Sequence, residues 1–305
     1  MCSYACVFWL IGTLVLRALL RSGAVARAAG DDAGAWCAET RRVLARAAVL
    51  VALALVAVDL LRLWHQTYAF YGGFEPITRA LLSRIANETL WGSGWKVQVL
   101  SAAAAGLCFA AAVRGWTAAW LAATVAAAAT MASRPLTGHA VEQGSWLSLP
   151  AILQVIHVAG AALWIGTLAA LALVGLRRAR KLPQRRAALV AALVDGFSML
   201  ALGGALALFV AGAATSFLYL GSPAAVVTTW WGRLFVAKVI AFAGVVGLGY
   251  YNWQRVKPRI DGDVTDEAPS AAQALLLRSA AAELAVAALV LLLTAVLVAL
   301  PLPTG

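Results

Sequence analysis

The sequence has few charged residues: Lys, Arg, Asp and Glu make up 12% of its 305 positions, about half the share usual in a soluble protein. Cysteine is scarce too, and the four present are too few for a disulfide-stapled secreted scaffold. A P-loop, a glycine-rich dinucleotide motif and a His-Glu-x-x-His helix are missing. Hydrophobic residues make up 63% of the chain. The composition therefore indicates a polytopic membrane protein that is not an enzyme, and it argues against ATP-driven transport by this chain alone.

Eight segments are long and apolar enough to cross a membrane, which takes about 20 residues. They are rich in Ala, Leu and Val, with scattered Gly that allows helices to approach closely. The alternating pattern of a membrane barrel strand is missing. We therefore predict an all-α membrane bundle without a sheet, as a single domain over 1–305. The predicted spans are 1–20, 46–64, 93–113, 116–133, 150–175, 198–220, 232–253 and 279–300.

Basic residues alternate between the connections that join these spans. The odd-numbered connections hold 17 Lys and Arg, whereas the even-numbered ones hold five. Lys and Arg favour the cytoplasmic side, so both termini are predicted to lie outside. The first span carries its arginines after its apolar run, the reverse of a signal peptide, which predicts an uncleaved first helix. The net charge of +11 then reflects orientation and contact with anionic lipid, and no nucleic-acid partner is expected.

A short motif recurs along the chain. Thr-Leu-Trp-Gly at 89–92 opens the third predicted span, and Thr-Trp-Trp-Gly at 229–232 opens the seventh. Both spans are predicted to run from outside to inside. This agreement favours two parallel four-helix halves, 1–133 and 150–300, over a chance match in a chain with 12 Trp.

The chain has three histidines, His65, His139 and His157, and the predicted topology places all of them in the outer half of the membrane. His157 lies about two turns into the fifth span, on a helical face shared with Trp164. An ionisable side chain inside a membrane is costly and usually faces a cavity or a partner. His157 is therefore a candidate site residue, and the alternative is a buried histidine bonded to a neighbouring carbonyl.

His139 and Met131 are candidate companions of His157. His139 follows a turn signalled by Pro135 and Gly138, where it is either an ordinary loop residue or close to His157. Met131 ends the fourth span, and a thioether beside imidazole suits copper, particularly Cu(I). Methionine is more often a filler of apolar gaps.

Other polar residues interrupt the apolar spans. Asp59, Arg62 and His65 follow one another at a spacing of three, which predicts an interfacial cluster in which Asp59 and Arg62 neutralise each other. Lys238 and Glu283 lie inside spans and need a partner or water, so they either line a polar path or brace the bundle. Cys2 and Cys6 are four apart and could hold Cu(I), although small apolar residues are the favoured interpretation.

The order of several motifs resembles that of the bacterial copper resistance protein D (CopD) family. The family has a Gly-His after a helix, then a helix with His-x-x-x-x-x-x-Trp-x-Gly, then a helix with Gly-Arg-x-x-x-x-Lys followed by Asn and Pro. The matching positions are Gly138-His139, His157 to Gly166 through Trp164, Gly232-Arg233 to Lys238, Asn252, Pro258, and Phe197-Ser198 at the start of the sixth span.

This resemblance implies a multi-pass inner-membrane protein that handles copper. Family members are proposed to move copper from the periplasm towards the cytoplasm, often beside a CopC-type periplasmic carrier, and this chain carries no such carrier domain. The hypothesis is that His139 and His157 take copper from a donor, with Met131 as a possible third ligand. Trp164, Lys238, Asp59 and His65 are pathway or accessory candidates.

Two other functions remain open from the sequence. Two membrane histidines can hold a haem, which would give a b-type electron-transfer protein. Against it, a two-haem relay needs four histidines and the chain has three. A membrane partner in copper delivery to an oxidase would need the same outer ligands as an importer, so the sequence does not separate the two.

Overall fold

The computed structural model describes residues 2–72, 76–138, 148–219, 224–256, 258 and 271–300. These residues form helices and connecting turns, with no strand among them, which confirms the all-α prediction. The helices are α1 (Cys2–Leu19), α2 (Gly23–Ala29), α3 (Ala33–Tyr71), α4 (Arg79–Glu88), α5 (Leu90–Val113), α6 (Ala119–Ala132), α7 (Leu149–Ala179), α8 (Arg186–Tyr219), α9 (Ala225–Thr228), α10 (Trp230–Tyr251) and α11 (Ala271–Ala299).

Seven of the helical segments in the described ranges are long and apolar enough to cross a membrane. They coincide with seven of the predicted spans, and the chain is therefore a multi-pass membrane protein. The one remaining predicted span, 116–133, corresponds to α6, which has 14 residues. At 1.5 Å per residue this helix is about 21 Å long, shorter than the ~30 Å hydrocarbon layer. A turn with Gly115 at φ +94° precedes it, and a 3-10 turn that contains Pro135, Arg134–Thr137, follows it.

The two Thr-x-Trp-Gly motifs build the same local structure. The hydroxyl of Thr89 accepts a hydrogen bond from the Gly92 amide at 2.9 Å and caps α5. The hydroxyl of Thr229 accepts one from the Gly232 amide at 2.9 Å and caps α10. A capping side chain satisfies a backbone N–H that the first helical turn leaves unpaired. The motif is thus a helix-start signal in both places, and the division into two parallel halves stays a prediction.

Residues of the odd-numbered connections meet on one face of the bundle. The guanidinium of Arg17 lies 4.7 Å above the ring of Trp120 at the start of α6. Glu39 accepts a hydrogen bond from Lys181 at 3.2 Å and also contacts Arg178, so the first connection touches the fifth. This shared face agrees with the alternation of basic charge. That it is the cytoplasmic face stays a prediction.

Helices α1 and α7 form the centre of the bundle. A Cβ at Gly12 would lie 2.0 Å from the Gly166 carbonyl oxygen, so the two backbones cross in direct contact. Helix α7 is mostly buried, whereas α10 packs mainly on α11 and leaves most of its apolar surface exposed. An exposed apolar surface of this extent suits contact with lipid. Large exposed side chains on α8 and α10 include Leu206, Phe209, Ile240 and Val246.

Candidate functional site: a buried ion cluster and a polar line

A buried ion cluster joins α3 to the end of α6. Both carboxylate oxygens of Asp59 accept hydrogen bonds from Arg134, each at 3.0 Å. Arg62 donates a third bond to Asp59 at 3.2 Å, as the spacing predicted. Asp59 is fully buried and Arg134 is 3% exposed. The bundle therefore encloses Asp59, and His65 is exposed and not part of the pairing. That the cluster lies at the membrane interface stays a prediction.

Neutral side chains complete the hydrogen bonds of this cluster. Gln98 of α5 accepts from Arg62 at 2.7 Å and donates to the Ser133 carbonyl at 2.9 Å. Arg62 also donates to the Thr137 hydroxyl at 2.8 Å. The cluster thus fixes the turn Arg134–Thr137, which leads directly into His139. His139 itself lies outside the described residues.

Arg134 is the residue of this cluster that the sequence did not single out. It counted only as one of five basic residues in the even connections. An aspartate inside a span requires a cation, and Arg62 at three positions along the same helix was the nearest choice. Arg134 lies 75 positions away from Asp59, and no local pattern joins the two.

His157 is held in a defined orientation between α7 and α8. Its Nδ1 lies 3.1 Å from the Leu208 carbonyl oxygen. A carbonyl can only accept, so Nδ1 carries the hydrogen and Nε2 keeps its lone pair. A Cβ at Gly212 would lie 3.1 Å from the ring, so the absence of a side chain there makes room for the imidazole. A bond from one ring nitrogen to a backbone carbonyl is the geometry that the alternative for His157 predicted, and it is also the way in which metal-binding histidines are commonly oriented.

Lys238 of α10 lies within electrostatic range of His157. The ammonium group has no carboxylate partner in the part of the chain that the structure describes. Of the predicted site residues, Lys238 is thus the one whose charge acts on His157. Lys238 and His157 are both half-buried, so neither side chain is fully enclosed by the protein.

Aromatic and polar residues extend from this pair along α7 and α10. Trp164 lies in a π-helical turn of α7, and its ring meets Phe242 edge-on with the centroids 6.1 Å apart. The Trp164 ring and a Glu283 oxygen both lie close to Gly249, because a Cβ at Gly249 would be 3.8 Å from the ring and 3.9 Å from the oxygen. Glu283 accepts a hydrogen bond from Asn252. We call His157, Lys238, Trp164, Asn252 and Glu283 the polar line.

Met131 packs against α1 and α7. It is half-buried and packs against the apolar cluster that contains Phe8, Val158 and Ala161. Val158 is the neighbour of His157 in the chain, but the His157 ring faces α8. Among the described residues no group of three His, Cys, Asp or Glu side chains could hold a metal ion. The described geometry thus offers His157 as an anchored single ligand, and a set with His139 and Met131 stays a prediction.

Cys2 and Cys6 are both free, the first exposed and the second half-buried at the start of α1. For a haem, the described residues offer no second imidazole beside His157. His65 lies on α3, which packs mainly on α1 and α5.

Comparison with protein families assigns the chain. A model described as copper resistance protein D-like, N-terminal domain, matches residues 1–149. A model described as copper resistance protein D matches residues 191–297. The chain belongs to the copper resistance protein D family. No curated protein and no solved structure matches it.

The family matches can be placed on the site. The first match holds the Asp59–Arg134 cluster and Met131, and the second holds Lys238, Asn252 and Glu283. His157 and Trp164 lie between the two matched ranges. The CopD assignment supports a copper resistance-related membrane protein, and it does not itself assign ligands.

Proposed function

We propose that this CopD-family protein is a transporter and not an enzyme, and that it moves copper from the periplasm across the inner membrane towards the cytoplasm. Copper is the cargo, and the polar line is its route. The observation that carries the proposal is the His157 imidazole, whose Nδ1 bonds to the Leu208 carbonyl and whose Nε2 has no partner among the described residues.

His157 suits the first intramembrane contact for copper. A neutral imidazole nitrogen is a good ligand for copper in either common oxidation state. Hydrogen bonding through Nδ1 fixes the ring and makes Nε2 more basic, which strengthens a metal bond. In our proposal His139 and the Met131 thioether complete the ligand set at the outer end. The fixed turn Arg134–Thr137 holds the chain just before His139.

In this proposal, the positive charge of Lys238 is an electrostatic barrier on the copper route. A positive charge near His157 raises the free energy of a copper cation bound there, and so it keeps the ion from resting at this position. A site that binds too tightly would retain its cargo, because conduction requires that the ion can leave again. Trp164 and Phe242 then form the apolar constriction between His157 and the opposite end of the line.

The donor in this proposal is a periplasmic CopC-type copper carrier. Both termini and the outer ends of α3 and α6 face the periplasm in the predicted topology, where such a carrier would dock. The exposed apolar sides of the membrane-spanning helices face lipid in this proposal.

Uptake of copper into proteoliposomes tests the proposal. We compare the wild-type protein with His157→Gln, which keeps the size and polarity of the side chain and removes the imidazole. His65→Gln is the matched control, because His65 is exposed on α3 and lies away from the polar line. We expect H157Q to abolish uptake and H65Q to leave it unchanged.

Equal uptake by H157Q and the wild-type protein would contradict the route through His157. Loss of oxidase activity in cells without a change in total copper would instead favour delivery to an oxidase. Copper uptake, oxidase activity and total cell copper can all be measured with the same two variants, H157Q and H65Q.

A further inference from the structure

Glu283 on α11 is a buried carboxyl without a cation. Its residue is 3% exposed, and it accepts one hydrogen bond, from the neutral amide of Asn252. It forms no ion pair in the part of the chain that the structure describes. A lone carboxylate in an apolar interior is unstable, so such a group is neutralised by a proton or by a bound cation.

Two further buried oxygens near Glu283 lack partners. The Ser279 hydroxyl lies one helical turn before Glu283 on the same face, and Ser279 is 7% exposed. The Asn252 carbonyl oxygen, Oδ1, is also buried without a hydrogen-bond partner. The structure thus holds a carboxyl, a hydroxyl and an amide oxygen that are buried around α10 and α11 with unused hydrogen-bonding capacity.

Among the residues that the structure describes, no charged side chain faces Glu283 from the helices packed around it. The stretch 167–175 of α7 carries none. On α8, Arg186 is half-buried beside Leu276 and Leu277, two turns from Glu283, and Asp195 is exposed. Lys238 lies about four turns of α10 before Asn252, roughly 20 Å along the axis. The other titratable groups of α10, of the turn Asn252–Val256 and of α11 are exposed: Arg233, Tyr250, Tyr251, Arg255 and Arg278.

The ligand that these groups suit is a proton. Calcium and magnesium need six or more oxygens, which the described residues around Glu283 do not supply. Copper(I) prefers sulfur and imidazole to a carboxyl. A proton needs one carboxylate oxygen, and the second oxygen can keep its bond from Asn252.

We propose that Glu283 binds a proton that is exchanged against copper on the polar line. The inference rests on the proposed copper route, because the Trp164 ring and a Glu283 oxygen both lie beside Gly249, and Trp164 follows His157 by two turns of α7. The carboxyl is protonated when the line is empty. A copper cation that passes Trp164 favours the carboxylate, so the proton leaves a Glu283 oxygen along the polar line towards the outer end. When copper has left at the end of the bundle that carries the odd connections, the carboxylate takes a new proton from water at that end, so protons move outward as copper moves inward.

Infrared difference spectroscopy tests proton binding without copper. The purified full-length protein is titrated with acid and base, and the carbonyl stretch of protonated carboxylic acids is followed. Glu283→Gln should remove a band that the wild-type protein shows. Glu88→Gln is the control, because Glu88 is exposed and pairs with Arg84 at 3.2 Å. Identical wild-type and E283Q spectra would overturn the proton site.

Proteoliposomes with a pH dye inside test the coupling. Copper uptake by the wild-type protein should be accompanied by proton movement, and E283Q should lose the proton movement. Copper uptake without proton movement in the wild-type protein would overturn the coupling. A wild-type protein that shows the infrared band but takes up no copper would refute the proposed copper transport and leave the proton site standing. Proton movement that E283Q retains would also overturn the proposal.

Discussion

Replacement of Asp59 by Asn tests the buried ion cluster. Asp59→Asn keeps the shape of the side chain but removes the negative charge that two guanidinium groups share. Arg134 would then be buried with a side chain that is 1% exposed and no counter-charge. Breaking a buried pair by removing one partner costs about 3–5 kcal/mol, whereas exposed pairs contribute about 0–1 kcal/mol. We therefore expect D59N to lower the free energy of unfolding by about 3–5 kcal/mol.

The assay is unfolding of the purified protein in mixed detergent micelles, followed by the loss of helical circular dichroism. The double variant Asp59→Leu with Arg134→Met removes both charges and should recover most of the loss, since apolar replacement of a buried pair is often neutral. Arg62 keeps its bonds to Gln98 and Thr137 in that variant. A D59N protein as stable as the wild type, or a double variant less stable than D59N, would refute the reasoning.

Two further substitutions test the surroundings of His157. Gly212→Val should displace the imidazole and reduce copper uptake, because a Cβ at Gly212 already lies 3.1 Å from the ring, whereas Gly203→Val on the same helix meets nothing within 4 Å and should leave uptake unchanged. Equal copper uptake by the Gly212→Val and Gly203→Val proteins would contradict the fixed position of the His157 ring. Lys238→Met should tighten copper binding at His157 in a competition titration, since a repelling charge is removed. Lys96→Met is the control. An unchanged copper affinity in K238M would show that Lys238 does not weaken copper binding at His157.

The sequence predicted the architecture because membrane spans are local features. Apolar runs of about 20 residues are visible without knowledge of their neighbours. The exception is 116–133, where composition did not reveal that helix α6 stops after 14 residues. The Gly115 turn precedes this helix, and Pro135 and the ion pair of Arg134 with Asp59 follow its end. The ion pair is a tertiary contact.

The site was predictable only in part, for the same physical reason. His157 and Lys238 stood out because ionisable residues inside a membrane are rare. The pairing of Asp59 with Arg134 and of Glu283 with Asn252 depends on how distant helices pack. Sequence separations of 75 and 31 residues carry no periodic signal for either pair. Gly212 shows its role only beside the His157 ring.

The copper content of the purified full-length protein shows whether His157 binds copper. Wild type, H157Q and H65Q are loaded with copper, freed of unbound metal, and measured by elemental analysis together with an absorption scan for a haem band. We predict bound copper in the wild type and in H65Q, background copper in H157Q, and no haem band in any of the three proteins. Copper retained in H157Q at the wild-type level would contradict it, and a haem band lost in H157Q would make His157 a haem ligand instead.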